Sequence, residues 1–336
     1  MSGASSVIER LRAFEIRPDK SIGQHFLEDQ FLIDLMVRSV NPGDTIIEIG
    51  SGVGQLTEAL AQKAGRVISI EIDRRYEPML LPIAKKYPNV QIIFGDAIAL
   101  RIEDLVLKER DTKIVANLPF HITEPFLRKI ANLPIDSAIL LVGRRLAYAT
   151  QAIDEESPYF SKLTLLVQTF FHVEFLATIE KGKFYPVPPA DSAIIRFIPR
   201  EENEIRSNSR DFILRKLFLA GRKSSLVKNC LKDGLVEYAD MSRVGNLPKK
   251  EQNKKLRRFV ARDLKCLVEE FNQFGKVQTF LQYPSRKGLV QLTQNQAKDV
   301  IEQMRIPDRV LNKLFDQLDN IELGLLSKAL RQPIKI

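Results

Sequence analysis

Through the first 200 residues, short β-branched and aliphatic runs alternate with stretches whose apolar positions recur every three or four residues. DTIIEIG, RVISIEID, VQIIFGDA, KIVANLPF and SAILLVG read as strands, while QLTEALAQKAG, PMLLPIAKKY and EPFLRKIANL read as helices. Such alternation predicts a mostly parallel sheet covered on both faces, that is, a doubly wound α/β fold of Rossmann-like type. The following segment, KLTLLVQTFFHVEFLATIEKGKFYPVPPADSAIIRFIPR, reads as one helix and two strands around a proline-rich loop. The polar run EENEIRSNS then marks a boundary, expected at 202/203. From residue 211 onward strand patterns fade, and DFILRKLFLAGRKSSLVKNCL, KKLRRFVARDLKCLVEEFNQF and NQAKDVIEQM have helical spacing. The expected organisation is an α/β domain over 1–202 and a smaller all-α domain over 203–336.

Composition adds three constraints. Of the 336 residues 44% are hydrophobic and 28% charged, as in ordinary globular chains large enough for two domains. No apolar stretch approaches the roughly 20 residues of a membrane span, and MSGASSVIERLRAF has no signal-like segment, so a chain in the cytoplasm and away from membranes is expected, with an organellar location left open. Cys230 and Cys266 fall in different predicted helices without a CxxC or a histidine cluster, which suggests reduced thiols and no metal site.

The net charge of +9 is concentrated in one half. Residues 1–200 carry 24 basic and 25 acidic side chains, whereas residues 201–336 carry 27 and 17. Within 212–262 the counts are 14 and 4, the footprint expected for a nucleic-acid or other anionic partner.

The candidate chemistry lies at the ends of the predicted strands. The first runs into IEIGSGVGQLTEAL, which places Glu48, Gly50, Gly52 and Gly54 in an E-x-G-x-G-x-G pattern between strand and helix. Glycines there admit positive φ and close ligand approach; alone, they would equally suit a plain turn. A dinucleotide fingerprint would need glycine where Gln55 stands, which argues against a nicotinamide cofactor. The second strand ends with Glu71 and Asp73, and Glu71, 21 residues beyond Gly50, suits ribose hydroxyls. The third ends with Asp96, suited to an adenine amino group, with Ala97 contributing backbone. A glycine loop followed by two acids describes an adenosyl pocket, and S-adenosylmethionine fits it because no Lys or Arg follows the glycines to grip phosphate.

The fourth strand end reads Asn117-Leu118-Pro119-Phe120. Pro119 pushes Leu118 toward extended geometry and so aims its carbonyl. With the Asn117 side-chain oxygen, that carbonyl can accept both hydrogens of an exocyclic amine. Phe120 offers a stacking face for an extruded purine. Two acceptors on adenine N6 localise its lone pair for attack on an activated methyl group, without a metal or a strong base.

In these residues the chain resembles the ribosomal RNA adenine N6-dimethyltransferase family, which includes small-subunit dimethyladenosine transferases and macrolide-resistance methylases. SIGQHFLEDQFLID looks like its N-terminal cofactor motif, and EIGSGVGQLT, IEID, GDA, NLPFHIT, YFSKLTLLVQ and FYPVPPADSAIIRF follow in family order, covering about residues 20–200. The resemblance implies cofactor contacts from His25 and Leu27, Gly50 at the methionine end, Glu71 at the ribose, Asp96 at the adenine and Asn117 between cofactor and target base. Nothing in the spacing singles out His25. It also implies a ribosomal RNA substrate within a small-subunit precursor, a monomer, and an RNA-binding second domain.

There KLFLAGRKSSLVKNCLK is similar to a helix of the housekeeping branch. Arg215 with Arg222, and Lys216 with Lys223, repeat at seven residues and would share helical faces toward phosphates. Three features depart from the family pattern: Phe120 stands where Tyr is usual, LLVGRRLAYATQ lacks a Gln-Lys-Glu pattern, and Pro189-Ala190 precede Asp191-Ser192. Residues 233–295 have no family counterpart and look like an insertion. A large-subunit resistance methylase and a ribosome-assembly or transcription factor with little catalysis are the competing readings.

Overall fold

The computed structural model describes residues 6–106, 111–119, 121–152, 154–220, 226–244 and 292–331. The chain divides into two compact units, Met1–Ile205 and Arg206–Ile336, against the expected boundary at 202/203.

The strands are β1 (Phe26–Leu27), β2 (Thr45–Ile49), β3 (Arg66–Glu71), β4 (Val90–Phe94), β5 (Thr112–Asn117), β6 (Ser137–Gly143), β7 (Phe171–Ile179), β8 (Phe184–Tyr185) and β9 (Ser192–Pro199). Helices of the first unit are α1 (Val7–Ala13), α2 (Gln30–Met36), α3 (Gln55–Ala61), α4 (Glu77–Lys86), α5 (Ile102–Val106), α6 (Thr123–Ile130), α7 (Arg144–Gln151) and α8 (Lys162–Phe170), with α9 (Glu202–Ser207) crossing the boundary.

A seven-stranded sheet has the order β4-β3-β2-β5-β6-β9-β7. Strands β2 to β6 are mutually parallel, and β9 is antiparallel to both β6 and β7. All five residues of β2 are buried, as expected for a central parallel strand covered on both faces, where a continuous apolar run replaces alternation. Edge strand β7 instead mixes buried and exposed positions around a bulge between Phe175 and Ala177. One core face gathers Ile46, Val67, Val115 and Ile139 from the sheet with Leu32, Met36 and Leu60 from α2 and α3.

The chain leaves β2 toward β3 on one side, while β5 lies on the other, so the strand order reverses there. Such a switch point opens a crevice at the carboxyl ends of the strands. The short pair β1–β8 sets Phe26 opposite Tyr185 and Leu27 opposite Phe184, joining the G-Q-H-F segment to the proline-rich segment.

In the second unit α10 (Ser209–Leu219), α11 (Val227–Val244), α12 (Gln294–Gln303), α13 (Asp308–Leu311) and α14 (Asn320–Leu330) are helical. Asn208 caps α10 through the N–H groups of Arg210 and Asp211, and Asp319 forms a capping box with Glu322 on α14. The predicted single helix over 211–231 is therefore two: α10 stops at Leu219, and α11 starts only at Val227. Gly221 follows Ala220 in the sequence, and glycine is common just past a helix end. Cys230 is buried in α11, whereas Cys266 lies outside the described residues, as does most of the expected 233–295 insertion.

Candidate active site

The glycine loop after β2 is tied to the end of β3. Gly52 has φ +52° and donates its N–H to Glu71 Oε2 at 2.7 Å, while Asp73 N–H donates to Glu71 Oε1 at 2.8 Å. A Cβ on Gly52 would stand 2.5 Å from Phe26 Cε1, so both the conformation and the close approach require glycine. Burial pushes the Glu71 carboxyl up against the pull of these N–H groups. With one protein donor on each oxygen, Glu71 keeps lone pairs for ligand hydroxyls. Beneath the loop, Thr57 and Ser69 both donate to Glu48 Oε2, Ser51 donates to Ser69, and Oε1 of Glu48 has no partner among the described residues. Glu48 is fully buried, and desolvation pushes its carboxyl up to about 7.

The end of β5 is clasped from two sides. Asn117 Nδ2 donates to the His25 carbonyl at 2.9 Å, and because that carbonyl can only accept, the amide orientation is assigned. Among the described residues nothing donates to Asn117 Oδ1 or to the Leu118 carbonyl. His25 Nδ1 lies 2.7 Å from the Pro186 carbonyl, again an acceptor, so Nδ1 carries the proton. Gly23, at φ +76°, packs so closely that a Cβ would fall 2.9 Å from Pro119 Cβ. Gln24 completes the clasp by accepting from Tyr76 OH at 3.0 Å and donating to Asp73 at 2.7 Å.

These elements surround a cavity of about 520 Å³, within the range of small-molecule sites. His25, Gly50, Gly52, Glu71, Asp96 and Ala97 line it, and Asn117 and Pro119 form its β5 wall. Asp96 accepts Ile98 N–H on Oδ1, leaving Oδ2 without a donor among the described residues. Leu27 instead borders a separate cavity of about 40 Å³ shared with Gly50 and Asn117. The side chain of Leu118 is buried, so only its backbone is available. Phe120 lies outside the described residues.

The residues present fit an adenosyl cofactor. Two carboxylates with unused lone pairs stand at the ends of β3 and β4, apolar Ile72 and Ile98 flank the space between, and none of the described lining residues is Lys or Arg. A phosphate-bearing cofactor would leave its charge uncompensated there. No group of His, Cys, Asp and Glu suited to a metal ion occurs among the described residues, and no described helix is long and apolar enough to cross a membrane.

Sequence reasoning passed over Gly23 and Gln24, whose partners are distant in the chain, and Lys129 on α6. Lys129 Nζ donates to the carbonyls of Ile98, at 2.7 Å, and Leu100, which holds the loop after Asp96 against α6. Of the four expected RNA-binding residues, α10 carries two. Arg215 and Lys216 are half-buried on α10; Lys216 pairs with Glu237 at 2.5 Å and stands 5.7 Å from the Phe212 ring. α10 ends at Leu219, before Arg222 and Lys223, which lie outside the described residues.

Comparison with known proteins agrees with this geometry. A model of the ribosomal RNA adenine dimethylase family matches residues 16–255. A ribosomal RNA small subunit methyltransferase A from Alkaliphilus metalliredigens is 30% identical over 247 residues, which span 71% of this chain and 84% of that protein. A probable ribosomal RNA small subunit methyltransferase A from Methanopyrus kandleri is 32% identical over 231 residues, 67% of this chain and 80% of its own length. The crystal structure of a dimethyladenosine transferase from Plasmodium falciparum has the same fold, with a TM-score of 0.51 at 22% identity, covering 90% of this chain and 96% of that one. A match across most of the sequence, on a Rossmann-like sheet that carries the expected strand ends, means that the chain belongs to the ribosomal RNA adenine dimethylase family.

Proposed function

We propose that the chain methylates the N6 amine of adenine in ribosomal RNA, dimethylating one or two neighbouring adenines of the small subunit, using S-adenosylmethionine. The observation that carries this reading is the Asn117 amide. Its Nδ2 is committed to the His25 carbonyl at 2.9 Å, which leaves Oδ1 as the amide's free acceptor on a residue that lines the cavity, one position before Leu118.

Bound in the cavity, S-adenosylmethionine supplies a methyl group on a cationic sulfur, a good leaving group. Glu71 takes the ribose hydroxyls, and Asp96 Oδ2 with the Ala97 backbone takes the adenine edge. Gly50 and Gly52 admit the methionine end, with His25 on the same wall. Asn117 Oδ1 and the Leu118 carbonyl accept the two N6 hydrogens of the target base, so its lone pair is less delocalised into the ring and points outward. Transfer would break the sulfur–methyl bond, leaving a neutral thioether, as the N–C bond forms, and the methylated N6 would then release its extra proton to water. Pro119, seated on Gly23, holds the Leu118 carbonyl in place, and Phe120 stacks on the base.

The basic excess of 212–262 supports the second unit as the RNA-binding domain, with Arg215, Arg222 and Lys223 as its candidate phosphate contacts. Lys216, paired with Glu237, serves the unit's own packing. The small-subunit target draws on the names of the relatives. A monomer acting in the cytoplasm is part of the same proposal.

Asn117→Ala tests the mechanism. Transfer of labelled methyl to small-subunit RNA should fall by about a hundredfold or more, the scale of losing a preorganised transition-state contact. Binding of S-adenosylhomocysteine should stay within about threefold of the unaltered chain, and mass spectrometry should find the dimethyladenosine signal gone. Undiminished transfer by this variant would overturn the proposed mechanism.

A further inference from the structure

Helix α1 precedes residue 16, where the family match begins, yet it reaches the glycine loop. Its apolar side chains Val7 and Leu11 are 0% and 3% exposed and join one cluster with Phe26, Val53, Tyr76 and Leu80. That cluster contains both the ring that closes on Gly52 and the one apolar side chain of the G-S-G-V-G loop. Between them, on the same helix, Arg10 extends toward the loop itself. Its Nη1 donates to the Val53 carbonyl at 3.0 Å, and its Nη2 donates to Glu58 on α3 at 2.6 Å. The Arg10 side chain is only 17% exposed and Glu58 21%, so the pair is largely shielded from competing water.

We propose that Arg10 is a positioning residue for the cofactor, fixing the glycine loop from outside the cavity through the Val53 carbonyl. A loop with positive φ at Gly50, Gly52 and Gly54 has many alternative conformations, and glycine offers no side chain to select one. Among the bonds that select it here, the Gly50 N–H donates to the Ile70 carbonyl, the Gly52 N–H to Glu71, the Ser51 hydroxyl bonds to Ser69, and Arg10 donates to the Val53 carbonyl. The guanidinium fork spans the loop and the first turn of α3 at once, so the loop cannot shift relative to the helix that follows it. A lysine has the charge but not the planar fork: its donors share one nitrogen on a shorter stem, so it meets the two acceptors with poorer geometry. The segment before residue 16 thereby sets how well the cavity is preorganised for the adenosyl ligand.

This inference rests on the S-adenosylmethionine reading, and calorimetric titration of S-adenosylhomocysteine into the full chain tests both separately. Arg10→Met, which keeps the apolar stem, should raise the Kd about fivefold to tenfold, the size of one lost charge-assisted hydrogen bond partly recovered by loop relaxation. Arg10→Lys should fall between, at about threefold. KM for the methyl donor should rise with Kd while kcat changes by less than about twofold, a split that general destabilisation would not produce. Either variant binding the nucleoside as tightly as the unaltered chain would overturn the inference, and Arg10→Lys serves if Arg10→Met does not fold. An unaltered chain that binds no S-adenosylhomocysteine would instead overturn the cofactor reading.

Discussion

Replacing Glu48 by glutamine should remove a pH dependence from the stability of the sheet. Glu48 is wholly buried under the glycine loop, and its carboxyl is pushed from 4.5 to about 7 by desolvation, partly opposed by the Ser69 and Thr57 hydroxyls. The folded chain therefore keeps this proton to higher pH than the unfolded chain does. Its stabilising effect is complete below the ordinary value of 4.5 and is lost as pH rises through about 7. The whole displacement, from 4.5 to about 7, corresponds to about 3 kcal/mol. Between about pH 5.5 and about pH 8 the linkage relation assigns roughly 2 kcal/mol of it. Glutamine keeps an oxygen to accept from Thr57 and Ser69 and cannot ionise. Urea unfolding followed by circular dichroism at the two pH values gives the difference between Glu48→Gln and the unaltered chain, in which the other titrating groups cancel. That difference should move by about 2 kcal/mol in favour of the variant at the higher pH. A difference constant to within about 0.5 kcal/mol would show that Glu48 does not hold its proton in the folded chain, and the account of its burial would fail.

Two further substitutions probe the walls of the cavity. Gly52→Ala adds a Cβ 2.5 Å from Phe26 Cε1 at a φ of +52°, so thermal unfolding should register a loss on the order of 2–4 kcal/mol and S-adenosylhomocysteine affinity should drop more than about tenfold; unchanged affinity would contradict the loop assignment. Lys129→Met frees the carbonyls of Ile98 and Leu100, and hydrogen exchange over 96–101 should quicken by about tenfold or more, with adenosine-end affinity weakened several-fold; unaltered exchange would deny Lys129 its role.

The strand ends were legible from sequence because each is local. A buried parallel strand announces itself as an apolar run, and the residue after it is necessarily at the carboxyl edge, so Gly50, Glu71, Asp96 and Asn117 could be assigned to one rim before any contact was known. The second unit was less legible. The seven-residue repeat of Arg215 and Arg222 has meaning only on an unbroken helix, and α10 ends at Leu219, just before an Ala-Gly step.

Periodicity and turn residues act over a few positions, so the order of the elements and the chemistry available at each strand end can be read along the chain. How those groups are held depends on contacts between distant segments. Asn117 is oriented by a carbonyl 92 residues away, His25 by one 161 residues away, and Val53 by a guanidinium 43 residues away. No local rule links such positions; the sheet brings them together, and a hydrogen bond forms only where a donor and an acceptor meet at bonding distance with water excluded.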